Sequence, residues 1–78
     1  MPHVSVYMYP GRTDEQKKDL TKAIEDAVCK ICNVTPDTVS VVIEEVAKDK
    51  WMQDVYEPLI LAKKDFIYKR PGYGPLSN

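Results

Sequence analysis

The chain opens on an alternation of apolar and polar positions. Val4, Val6 and Met8 are separated by His3, Ser5, Tyr7 and Tyr9. A period of two in a β-branched and aromatic stretch predicts a strand over residues 2–9. Pro10-Gly11 stops it. Pro2 is tolerated at the first strand position because its missing N–H falls outside the ladder. The period then changes. Leu20, Ala23, Ile24, Ala27, Val28 and Ile31 recur at alternating steps of three and one, a single apolar stripe on a helix. Thr13-Asp14-Glu15-Gln16 ahead of it matches a capping box. Asp14 and Glu15 fall in the first turn, where the helix dipole favours acids. Asn33 suits the C-cap, and Thr35-Pro36-Asp37 turns the chain.

A second strand is expected over residues 39–46. Val39, Val41 and Ile43 share one face, and Val42 and Val46 the other, so burial on both faces is predicted. The helix between the strands implies a right-handed crossover to a parallel neighbour. Two strands alone do not make a stable sheet, and pairing with another subunit's sheet would solve that problem. Lys48-Asp49-Lys50 reads as a charged loop, and residues 51–57 are ambiguous, compatible with a short helical turn. Pro58 fits the first position of a last helix over residues 59–69. Pro71-Gly72-Tyr73-Gly74-Pro75 ends it and leaves an irregular tail. The predicted class is α/β (α+β): a β-α-β protomer with parallel strands plus a C-terminal helix, one domain over residues 1–78, its sheet completed by dimerisation.

Composition narrows the partners. The 78 residues carry 11 Lys+Arg and 12 Asp+Glu, a formal charge of −1, which excludes a general basic binder of nucleic acid. A 44% hydrophobic content excludes a disordered chain. No apolar run approaches the ~20 residues that span a bilayer. The start of the chain has neither a basic n-region nor an apolar h-region, so a cytoplasmic protein without membrane contact is expected. A chain this short buries only roughly 60–65% of its unfolded surface. Two cysteines are too few for a disulfide framework, and no metal site is recognisable. Oligomerisation is then the expected source of further stability.

Ordinary catalytic constellations are missing. There is one histidine, and the three glycines match neither a P-loop nor a dinucleotide fingerprint. Cys29-Lys30-Ile31-Cys32 is formally a C-x-x-C, but it falls at a helix C-terminus, where the dipole opposes a thiolate. Two small helix residues are the better reading. His3 reads as a strand-face histidine, and Lys63-Lys64 and Lys69-Arg70 as solvated charges. The unusual feature is Met1-Pro2 leading straight into a strand. An initiator methionine is normally removed before a small residue, which would leave Pro2 as a secondary amine.

Residues 1–20, MPHVSVYMYPGRTDEQKKDL, resemble the start of the 4-oxalocrotonate tautomerase superfamily. Its members begin with proline, run through one strand, and show G-R-[ST]-D-E-Q-K before the helix. Gly11-Arg12-Thr13-Asp14-Glu15-Gln16-Lys17 matches that segment residue for residue. Residues 39–48 look like the family's second strand and its E-x-A-K ending. The likeness covers roughly residues 2–51. Beyond Trp51 the glycine-rich hairpin of the hexameric members is missing, and the longer tail is similar to that of a dimeric bacterial branch. The resemblance implies a homodimer with a four-stranded sheet and helices on one face, with a hexamer as the alternative. No cofactor and no metal are expected, and the resemblance makes Pro2 the general base.

The chemistry makes sense of a proline. Keto–enol tautomerisation removes a proton from one atom and returns it to another. An amine is neutral when deprotonated, so an apolar pocket tolerates it better than a carboxylate. Burial and a nearby cation both bring its pKa down from the free-amine value toward the working pH. By the same resemblance Arg12 grips the substrate carboxylate through its planar fork, and Trp51 falls where the family carries an aromatic that desolvates the pocket. Ser40 stands where the family has a second arginine. Serine donates one hydrogen bond and carries no charge, so the expected substrate is a monoacid enol of the phenylpyruvate type rather than a dicarboxylic muconate. Two other readings remain open. One is a hydratase or dehalogenase of unsaturated acids, using Pro2 as an acid and a carboxylate such as Glu44 or Glu45 to activate water. The other is an oligomeric interaction protein that keeps the fold without the activity.

Overall fold

His3–Met8 forms strand β1, one residue shorter at each end than the alternation predicts. Pro2 and Pro10 lack an N–H, so the ladder ends inside both. Helix α1, Asp14–Cys32, follows with both halves of the predicted capping box in place. The Gln16 N–H donates to the Thr13 hydroxyl at 3.0 Å, and the Thr13 N–H donates to the Gln16 side chain at 2.8 Å. Asn33 closes the helix in the left-handed region at φ 58°, its N–H donating to the Cys29 carbonyl. A 3₁₀ turn over Pro36–Thr38 leads into strand β2, Ser40–Glu45.

The two strands are parallel, with His3 opposite Ser40 and Met8 opposite Glu45. This is the predicted β-α-β crossover. The register sorts the side chains into two faces. Val4, Val6, Met8, Val41, Ile43 and Glu45 share the side on which Lys17 of α1 reaches Glu45 at 3.2 Å. His3, Ser5, Tyr7, Ser40, Val42 and Glu44 share the other. Burial of β2 on both faces does not occur within one chain: Val42 is 39% exposed. One helix covers one face only. The apolar stripe of α1 is half-buried at Leu20, Ile24 and Val28, whereas Ile31 in the last turn is 81% exposed.

The computed structural model describes residues 1–77, which divide into two units, Met1–Glu45 and a second from Val46 onward. The second unit departs from expectation. Residues 48–50 form a 3₁₀ turn rather than a loop. A π-helical segment then runs over Met52–Ile60 and a 3₁₀ segment over Leu61–Phe66, with a break in helical geometry at Lys63. The predicted last helix over 59–69 is therefore corrected on both bounds and in type. Pro58 lies inside the helical run, not at its start. Proline removes an N–H and its ring crowds the carbonyl four residues back, so a regular α-helix would clash there. The wider π turn relieves that contact. The Leu61 N–H is shared between the Glu57 and Tyr56 carbonyls.

Val55, Tyr56 and Leu76 form a small core in this unit. The Tyr56 hydroxyl donates to the Tyr73 carbonyl and accepts the Leu76 N–H, each at 2.9 Å. The Tyr56 and Tyr73 rings meet edge to face at 5.3 Å. Gly74, at φ +71°, lets the backbone pass over Tyr56: a Cβ there would lie 2.7 Å from the ring.

Candidate active site

The amino terminus is held against β2. The Met1 ammonium donates to the Thr38 carbonyl. The Ser40 N–H donates to the Pro2 carbonyl at 3.2 Å, which extends the strand pairing one residue beyond β1. Pro2 is half-buried there. With the backbone N–H of Ser40 committed to this bond, its hydroxyl is the donor left at that position. The hydroxyl lies on the sheet face away from α1, 2.6 Å from His3 Nδ1. The other ring nitrogen, His3 Nε2, lies 3.3 Å from the Ser5 hydroxyl. Further along the same face, the Glu44 carboxylate accepts a hydrogen bond from Tyr7, and its charge adds to this; both hold the phenol pKa above its usual value.

Arg12 lies past the other end of β1. At ~3.3 Å per residue, the six residues of the strand alone put about 20 Å between the two ends. The side chain is exposed, and among the described residues it forms no ion pair. It borders a cavity of about 200 Å³ with Met8, Gln16, Lys17 and Leu20. Lys17 is already committed to Glu45 at 3.2 Å and, more distantly, to Asp14 at 3.8 Å. Arg12 is thus the cation of this cavity left for an incoming anion, and Met8 and Leu20 give it an apolar wall.

Trp51 belongs to the second unit, at the start of its helical run. It is half-buried, and its indole N–H donates to the Tyr73 hydroxyl at 2.8 Å. Of the residues singled out by sequence, Pro2 and Ser40 adjoin, while Arg12 stands a strand length away in the same unit. Two contacts went unread in the sequence. The Ser40–His3 pair follows from parallel register, since both residues open their strands. The Tyr73 contact to Trp51 spans an irregular segment that leaves no periodic signal. The Cys29 thiol is pushed up mainly by desolvation and then by Glu25 and Asp26, which fits the reading of Cys29 and Cys32 as helix residues rather than a redox pair. Among the described residues, no group of His, Cys, Asp and Glu is arranged to hold a metal ion, and no helix is long and apolar enough to cross a membrane.

The first unit is thus a parallel β-α-β unit with its chain start held beside β2 and, just ahead of the helix cap, an arginine with no ion pair among the described residues. The model of the tautomerase enzyme family matches residues 2–56, and the chain belongs to that family. It is 35% identical to a protein of Xylella fastidiosa (strain 9a5c) named "Probable tautomerase", over all of this chain and 95% of the relative. Its identity to the 2-hydroxymuconate tautomerase of Bacillus subtilis (strain 168) is 41% over 51 residues, 65% of this chain and 82% of the relative. The crystal structure of YwhB, a homologue of 4-oxalocrotonate tautomerase, superposes with a TM-score of 0.60 at 42% identity, covering 62% of this chain and 79% of that one. The resemblance to the 4-oxalocrotonate tautomerase superfamily and the α+β class both hold, and the chain is an enzyme of the tautomerase, or isomerase, class.

Proposed function

We propose that this protein is a single-domain keto–enol tautomerase acting on a 2-hydroxy-enol or 2-keto acid of the phenylpyruvate type. Pro2, freed by removal of Met1, is the general base. It takes a proton from the enol and returns it to carbon. Arg12 pairs with the substrate carboxylate, Ser40 contacts the substrate oxygen, and Trp51 excludes water. No metal or cofactor takes part. The observation that carries this reading is the start of the chain: the Pro2 carbonyl accepts the Ser40 N–H, which holds this end of the chain against β2. The unpaired Arg12 beside an apolar wall supports carboxylate binding, and one such cation favours a monoacid.

The span between Pro2 and Arg12 supports a homodimer as the working form. Antiparallel pairing of two β1 edges brings the end of each strand beside the start of the other. Arg12 of one protomer then approaches the partner's Pro2, and the sheet gains the strands it lacks. A hexamer built from three such dimers is the second form. In either, the protein is expected to act in the cytoplasm on a small molecule.

The test joins mass and rate. Purified protein beginning at Pro2 should convert phenylenolpyruvate to its keto form. A preparation engineered to keep Met1 should lose that activity, because the Pro2 nitrogen is then an amide without usable basicity. Full activity from protein that uniformly carries Met1 removes Pro2 as the base.

A further inference from the structure

The polar chain on the open sheet face has a direction that matters for the reaction. His3 is the one histidine of the protein, and both its ring nitrogens are engaged, Nδ1 by Ser40 at 2.6 Å and Nε2 by Ser5 at 3.3 Å. We infer that His3 is a positioning residue that aims the Ser40 hydroxyl as a donor at the substrate oxygen, so that a Ser5–His3–Ser40 relay serves where a fixed cation is absent. The inference rests on the tautomerase reading above.

A neutral imidazole has one donor and one acceptor nitrogen, so the relay has two polarities. In one, the Ser5 hydroxyl donates to Nε2 and Nδ1–H donates to Ser40 Oγ. The Ser40 proton is then left to point away from His3. In the other, Ser40 donates to Nδ1 and Nε2–H donates to Ser5. Ser40 then has only lone pairs to offer. As the substrate enolate forms, negative charge grows on its oxygen, and that oxygen can only accept. A bound enolate therefore selects the first polarity. The contact at Ser40 is the shorter of the two, as expected where the relay must hold its orientation. Ser5 completes the device by offering its hydroxyl proton to Nε2. A preset donor of this kind costs no reorganisation during the reaction.

Because there is one histidine, nitrogen-15 NMR of histidine-labelled full-length protein reads the tautomer directly. With saturating phenylpyruvate, the proton is expected on Nδ1. Ser5→Ala should shift the ring toward the Nε2–H form. In kinetics on phenylenolpyruvate, His3→Phe should lower kcat about 5- to 10-fold, the worth of one neutral hydrogen bond, and leave KM within about twofold. His3→Asn, whose amide can still donate to Ser40, should recover most of that loss. His3→Phe added to Ser40→Ala should cost nothing more. An active enzyme whose ligand-saturated ring stays Nε2–H overturns the relay alone, as does additivity of the two substitutions. A wild-type protein beginning at Pro2 that turns over no enol acid overturns the tautomerase reading, and the relay's purpose with it.

Discussion

Replacing Gly74 by alanine tests how the second unit holds Trp51. The residue sits at φ +71°, a region in which a side chain costs about 1–2 kcal/mol. The new Cβ would also stand 2.7 Å from Cε2 and Cζ of Tyr56, a ring with 0% exposure and no room to retreat. Overpacking of this kind costs about 1–3 kcal/mol. The sum is roughly 2–5 kcal/mol. If the 74–76 turn lifts away instead, the Tyr56 hydroxyl loses the Leu76 N–H and the Tyr73 carbonyl, and leaving a buried polar group unpaired costs a similar ~1–3 kcal/mol. Either way Tyr73 is displaced and its bond to the Trp51 indole is lost. The protein has one tryptophan, so urea unfolding followed by its fluorescence reports this unit. Gly72→Ala is the control, because nothing lies within 4 Å of its Cβ position. We expect a large drop in midpoint and altered native emission for Gly74→Ala, with little change for Gly72→Ala. Equal stability of the two variants would refute the account of the Tyr56 clamp.

Arg12→Ala should lower kcat/KM for an enol acid about 10- to 150-fold, the loss of one charge-assisted contact of ~1.5–3 kcal/mol, without changing thermal stability, since Arg12 makes no ion pair among the described residues. Steady-state rates and a melting curve check both halves. Mixing Arg12→Ala with Pro2→Ala protomers under exchange should restore about a quarter of wild-type activity, because half the dimers are hybrid and each hybrid holds one intact site of two; no gain in the mixing assay would place both residues in one chain's site. Ser40→Arg should raise turnover of a dicarboxylic muconate relative to phenylenolpyruvate, read as the ratio of kcat/KM values. The raised Cys29 thiol should alkylate more slowly than free cysteine near pH 8.5, and the rate should climb as pH rises and the thiolate forms, followed by peptide mass spectrometry.

Local signals in the first 45 residues were legible because each has a local cause. The alternation from Val4 to Met8, the Thr13–Gln16 box and the Asn33 cap all act within a few residues, and all stand where their spacing puts them. The parallel pairing was legible from the length of the crossover. The second unit was not. Pro58 was read as a helix start because proline suits that position, but the surrounding run widens into π geometry and carries the proline inside. Its core depends on Tyr56 meeting a turn at residues 74–76, a contact between distant segments that no periodicity announces. The site was legible as residue types and not as distances. Arg12 and Pro2 are ten positions apart in sequence, and an extended strand between them turns that into about 20 Å or more.

That separation connects stability to catalysis. No residue of the β-α-β unit is buried within one chain, and Val42 and Ile31 face outward. Ordering a backbone costs about 1–2 kcal/mol per residue, and half-exposed side chains recover little of it. Both strands also keep an unpaired edge, which invites another strand. On the proposed reading a second copy supplies one, and the same edge that completes the sheet carries Arg12 to the partner's Pro2, so the isolated chain lacks both a full core and a full site. Folding and activity should then depend on one event, the pairing of β1 edges, and a substitution that blocks that edge should remove both together even though it touches neither the base nor the carboxylate grip.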